Sequence, residues 1–157
     1  MIILGVDQSY ARSGFAIVKD NKLIYSTSII FKKNKTKKDK REILKLTIEN
    51  IEKTFKPNKI VVERTRLYSR GFISIKTIIA LGSLITTIID ATNLDVFSVD
   101  SRSFKAKVVG HANCSKQDVM DWAQLKFGIS ANEDEADAIA IAFYSFMNNP
   151  LLRKEND

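Results

Sequence analysis

Two apolar runs, each closed by an acid, constrain this chain more than any other feature. "MIILGVD" ends on Asp7 and "KIVVE" ends on Glu63. Near-continuous hydrophobic stretches of strand length suit strands buried on both faces, in the middle of a sheet covered by helices. After the first run come "GFAIVKD", a turn at "DNK", and "KLIYSTSIIF". These predict two antiparallel strands that form a meander with the first. "REILKLTIENIEKTF" then repeats Ile43, Leu46, Ile51 and Phe55 at helical spacing, and Lys56-Pro57-Asn58 stops it. A helix between two buried strands predicts a crossover, which makes the strands parallel.

The remaining pattern alternates in the same way. "RTRLYSRG" is polar and loop-like, and "FISIKTIIALGSLITTIIDAT" is a long, largely apolar helix. "DVFSVD" is a short strand and "SRSFKAKVVG" a short helix running into a loop. "SKQDVMDWAQLKFG" is an amphipathic helix with Ser115 as N-cap and Gly128 just past its end. "DEADAIAIAFYSFMNN" is the last helix. The predicted order is βββαβαβαα, an α/β fold. A three-strand antiparallel meander and two parallel strands form a mixed five-stranded sheet flanked by helices. Residues 1–148 are expected to form one domain and residues 149–157 a short polar tail.

The 157 residues suffice for a real core. The longest apolar stretch, Ile78 to Ile89, is too short to span a bilayer and contains Gly82, Ser83, Thr86 and Thr87. "MIILGVDQ" has neither a positive n-region nor a cleavage site, so no signal peptide is expected. Cys114 is the only cysteine, which excludes an intramolecular disulfide and favours a reducing cytoplasm. Net charge is +7, and its distribution is uneven. The segment "KKNKTKKDKR" (Lys32 to Arg41) holds seven basic residues and one acid, so the remaining 18 basic and 17 acidic residues nearly cancel. A concentrated basic segment attracts a polyanion, and nucleic acid is the default partner. Lys32, Lys33, Lys35, Lys37 and Lys38 are the expected phosphate contacts.

Within this basic chain the acids fall at revealing places. Asp7 and Glu63 close strands expected to be parallel, at the sheet edge where α/β folds bind ligands. Asp134 and Asp137 are three apart on one helix and share a face. Taken singly, each acid has an ordinary reading: a turn former, a favourable charge or N-cap at a helix start (Asn132 or Asp134), or an ion-pair partner of Arg64 or Arg66. Brought together, each like-charged pair would cost about 4 kcal/mol at ~4 Å and an effective dielectric of about 20. Such a cluster needs a cation, and all-oxygen ligands select hard divalent ions, Mg²⁺ before Zn²⁺. A pair of such ions serves phosphodiester hydrolysis.

With these residues in view, the sequence resembles the RuvC family of Holliday-junction resolvases, within the RNase H-like superfamily. "ILGVDQSYARSGFAIV" is similar to the family's opening strand–turn–strand, "FKPNKIVVER" to its glutamate segment, and "DEADAIAIA" to its terminal D-x-x-D-A helix. "RSFKAKVVGHANCSKQDV" resembles the stretch that carries two DNA-approaching lysines. The resemblance implies an RNase H-like fold and a site in which Asp7, Glu63, Asp134 and Asp137 bind two Mg²⁺ or Mn²⁺ ions. It implies that Lys105 and Lys116 assist at the phosphate. It also implies a homodimer that nicks two opposing strands of a four-way DNA junction symmetrically, leaving 5′-phosphates. Gln8-Ser9 stands where the family usually has Pro-Gly. The loop "RTRLYSRGF" departs from the family's, with Tyr68 as the expected stacking residue and Arg66 and Arg70 as DNA contacts.

Other readings compete. A ribonuclease H-type or transposase-like nuclease keeps the fold, although a transposase needs added DNA-binding domains. An ATPase of the actin and sugar-kinase type shares a strand–Gly–x–Asp opening but needs two such domains. A non-catalytic branched-DNA-binding protein would be expected to have lost at least one acid. His111 is expected on a surface loop, and Trp122 in the core. One face of the long apolar helix is expected to be shared with a second subunit.

Overall fold

The computed structural model describes residues 1–64 and 74–148. Five strands form one sheet: β1 (Ile2–Asp7), β2 (Arg12–Lys19), β3 (Lys22–Ile30), β4 (Lys59–Glu63) and β5 (Val96–Val99), in the order β3-β2-β1-β4-β5. The pairs β1–β2 and β2–β3 are antiparallel, while β1–β4 and β4–β5 are parallel. The expected meander and parallel pair are both present. The strands with continuous apolar runs, β1 and β4, lie at the centre, where both faces are covered.

Strand alternation sorts the core into two layers. Leu4, Val6, Ile60 and Val62 point to one face, where α1 (Lys37–Phe55) and α2 (Ile75–Asp90) cover them with Leu44, Ile48, Leu84 and Ile88. Ile3 and Val61 point to the other, beneath α3 (Ser101–Val108), α4 (Lys116–Phe127) and α5 (Glu133–Met147). Trp122 belongs to this second layer, its ring 5.7 Å from Phe143 and 5.6 Å from Phe127. His111 is exposed in the loop before α4, as expected.

α5 is the helix that sets the site. Its buried face is Ala136, Ala138, Ala140 and Ala142 with Ile139, Ile141 and Phe143. The small residues let it lie very close to the sheet. A Cβ at Gly5 would collide with the Ala138 carbonyl and come within 2.8 Å of Ala142 Cβ, and one at Gly14 would collide with the backbone of Asp134. Gly14 is the register partner of Asp7. The absence of a side chain there is what admits the first turn of α5 beside the end of β1.

Two helix starts differ from the sequence reading. The basic segment is not all loop: α1 begins at Lys37, four residues before Arg41, so half of the segment is helical. Thr36 is the N-cap and forms a capping box with Asp39, which offsets the like-charge repulsion of the surrounding lysines. α2 begins at Ile75 rather than Phe72, because Ser74 adopts an extended conformation and caps the Thr77 amide. Arg66, Tyr68 and Arg70 lie outside the described residues, as does the tail at 149–157. Among the described residues no helix is long and apolar enough to cross a membrane.

Candidate metal centre

Asp7 ends β1, and Glu63 follows Val62, the register partner of Val6, at the end of β4. Both side chains lie on the α5 face, since they continue the rows of Ile3 and Val61. Asn132 caps α5 in a box with Glu135, which settles the choice of N-cap and places Asp134 and Asp137 in the first two turns. The convergence shows in electrostatics. Burial first, then the charges of Asp137, Glu63 and Asp134, push the Asp7 carboxyl up to about 8, with Lys105 pulling the other way. Burial also raises Asp137, opposed chiefly by Lys105. The four acids therefore share one electrostatic neighbourhood.

Cations already stand among them. Lys105 Nζ from α3 is 3.6 Å from Asp137 Oδ1. Arg12 Nε from the start of β2 is 3.1 Å from Asp134 Oδ2, and its Nη2 is 3.2 Å from Glu133 Oε2. Lys116 is placed differently from Lys105. It sits on the exposed rim, where its Nζ pairs with Glu133 Oε2 at 2.6 Å. Arg12 and Glu133 were absent from the sequence-based site. Glu133 could have been suspected from "EDEAD", but nothing local links Arg12 to a helix that begins 121 residues later.

The turn after Asp7 is tied down by the two residues that depart from the family pattern. Gln8 Nε2 donates to the Glu63 carbonyl at 2.7 Å, joining the ends of β1 and β4. Ser9 accepts from the Arg12 amide at 3.0 Å, and its own amide donates to Ser13 Oγ at 3.2 Å. Gln8-Ser9 thus does with side-chain bonds what a rigid turn does with backbone restriction.

These residues suit a hard cation. Among the described residues no three His, Cys, Asp or Glu side chains are already drawn in around a single point. The ligating chemistry is nevertheless right, with four carboxylates from three elements. Asp137 Oδ1 is buried without a hydrogen-bond partner, since 3.6 Å to Lys105 is an ion pair and too long for a hydrogen bond. A divalent ion would supply the missing partner and relieve the repulsion that raises Asp7.

A family model described as crossover junction endodeoxyribonuclease RuvC matches residues 3–144. The chain belongs to the RuvC family. A crossover junction endodeoxyribonuclease RuvC of Rickettsia felis is 32% identical over 150 residues, covering 91% of this chain and 96% of that protein. One of Francisella philomiragia is 29% identical over 159 residues, covering 98% and 92%. Among solved structures, Thermus thermophilus RuvC in complex with Holliday junction substrate superposes with a TM-score of 0.74 at 20% identity over 93% of each chain. The yeast mitochondrial Holliday junction resolvase Ydc2 superposes with a TM-score of 0.58 at 16% identity, over 90% of this chain and 76% of that one. The structural likeness establishes the fold: this RuvC-family chain has the RNase H-like sheet of those proteins.

Proposed function

We propose that this protein is a divalent-metal-dependent, structure-selective endodeoxyribonuclease that resolves four-way DNA junctions by paired nicking, acting as a homodimer in the cytoplasm. Membership of the RuvC family supports the activity. What supports the site is that Glu63, Asp134 and Asp137 all act electrostatically on Asp7 at the end of β1, with Lys105 beside Asp137. The proposed unit is a single nuclease domain over residues 1–148.

Asp7, Glu63, Asp134 and Asp137 would hold the metal, Mg²⁺ with Mn²⁺ as a substitute. When bound, such ions supply water activation and stabilisation of the leaving oxygen in phosphodiester hydrolysis. The chain's own groups do the rest. Lys105 is half-buried beside Asp137 and can offer its ammonium to a non-bridging phosphate oxygen, where charge develops as the P–O bond breaks. Lys116 on the rim can take a neighbouring phosphate by leaving Glu133, an exchange between exposed partners that costs little. Lys32, Lys33, Lys35, Lys37 and Lys38, at the sheet edge that carries the acids, hold the backbone without reading bases. Arg66, Tyr68 and Arg70, outside the described residues, remain candidates for DNA contact on the strength of the sequence alone.

The deciding experiment is cleavage of a synthetic four-way junction in Mg²⁺, with Asp7→Asn, linear duplex and an RNA–DNA hybrid alongside. Paired symmetric nicks, lost in the variant, are the expected result. Cutting of the hybrid alone would reassign the enzyme to ribonuclease H chemistry.

A further inference from the structure

We propose that the groove between α1 and α2 is a phosphate-binding subsite of its own, which grips the DNA strand after it leaves the carboxylate centre. The inference rests on the function proposed above and deepens it.

Topology puts the groove beside the site. α1 leads into β4 and α2 leads out of it, so both helices have their N-termini at the sheet edge that carries Asp7 and Glu63. The groove has a volume of about 610 Å³. Lys37 and Arg41 line it from α1, Lys76 from α2, and Tyr10, from the turn just after Asp7, lines it between them. Asp90 lines the opposite end, at the C-terminus of α2, so the positive half faces the site. The positive ends of both helix dipoles add to it.

Two features distinguish this from an ordinary basic surface. Among the described residues, none of Lys37, Arg41 and Lys76 is ion-paired with a carboxylate. Arg41 and Lys37 are also held, by a neutral anchor, Tyr10. Ser83 Oγ donates to the Ala80 carbonyl at 2.7 Å, so the Tyr10 hydroxyl donates to Ser83 Oγ at 2.6 Å and accepts from Arg41 Nη1 at 3.0 Å. Lys40 Nζ donates to the Tyr10 carbonyl at 2.9 Å, and Lys37 Nζ lies 5.4 Å from the centre of the Tyr10 ring. Arg41 is thereby oriented without being neutralised, and a guanidinium has four further N–H groups to offer. Oriented, unneutralised charge at the mouth of a groove suits a phosphodiester. Tyr10 sits three residues after Asp7, so the turn that leaves the acids at the end of β1 leads directly into the groove.

The test is junction binding without divalent metal, for wild type, Lys37→Gln with Lys76→Gln, and Lys22→Gln at the far sheet edge. Lys37 and Lys76 are exposed, so the double variant folds. Its slope of log affinity against log salt should fall by about two, and its affinity roughly 10-fold or more, with Lys22→Gln unchanged. Phosphate-ethylation interference should lose one patch outside the cut site while keeping the signal at the cut. An unchanged slope, or a weakened complex with an intact interference pattern, would overturn the subsite. A wild type that ignores junctions but binds another nucleic acid, with the same loss in the double variant, would overturn the proposed function and keep the subsite.

Discussion

Arg12 Nε lies 3.1 Å from Asp134 Oδ2, so a guanidinium from β2 occupies a carboxylate that the proposed metal would need. Arg12 is 44% exposed and Asp134 15%, so the pair contributes little to stability, but its charge sits at the site. Arg12→Gln should tighten Mn²⁺ binding several-fold in calorimetric titration, by removing a competing cation. Weaker binding would instead make Arg12 a residue that positions Asp134.

Asp7 is the titrating liability of the metal-free protein. Its carboxyl is raised from 3.8 to about 8, so the folded state binds its proton more tightly than the unfolded state does. Stability should therefore fall as pH rises from about 4 to about 8, and the full penalty should persist above that. Asp7→Asn removes the penalty. In chelator at pH 9 its Tm should exceed the wild-type value by several degrees, at roughly 2–4 °C per kcal/mol. The difference should vanish near pH 4. Adding Mg²⁺ should raise the wild-type Tm more than the variant's.

Gly14→Ala should lift α5 from the sheet. The new methyl meets the carbonyl of Asp134, which belongs to backbone and cannot rotate away. The expected loss is about 1–3 kcal/mol in urea unfolding, as for an overpacked core, together with loss of cleavage. Gly82→Ala is the contrast. Apart from its chain neighbours and its own helix backbone, nothing lies within 4 Å of a Cβ there, and the position is helical, so it should gain up to ~1 kcal/mol.

The two lysines should separate kinetically. Lys105→Gln, beside Asp137, should lower the single-turnover cleavage rate roughly 100-fold or more at saturating enzyme. Lys116→Gln, on the rim with Glu133, should act mainly on binding and reduce its salt slope by about one. Equal losses of rate in both would place Lys116 at the reacting phosphate as well.

Much of this molecule is written locally. The apolar runs ending in Asp7 and Glu63 identify the central strands, because only strands covered on both faces read that way. The caps at Ser115 and Asn132 and the αL end at Gly128 follow from residue types whose side chains or missing Cβ satisfy helix ends. The cap at Thr36 was equally legible as Thr-x-x-Asp, but it stood inside a run of lysines that reads as loop. Four acids in order, with Lys105 nearby in the pattern, carried the resemblance to the RuvC family, to which the chain belongs.

Tertiary structure alone decided how these parts meet. Gly14 has no local reason to be glycine, and its role appears only when the backbone of Asp134 is laid over it. Arg12 and Glu133 are 121 residues apart, and Tyr10 and Ser83 are 73 apart. No periodicity encodes such pairs, because they depend on how closely α5 and α2 approach the sheet. Helix and strand patterns are set by neighbours within a turn or two along the chain. The distance between two carboxylates, or between an arginine and the acid it covers, is set by packed volumes between elements, and that is where the sequence stops being readable by eye.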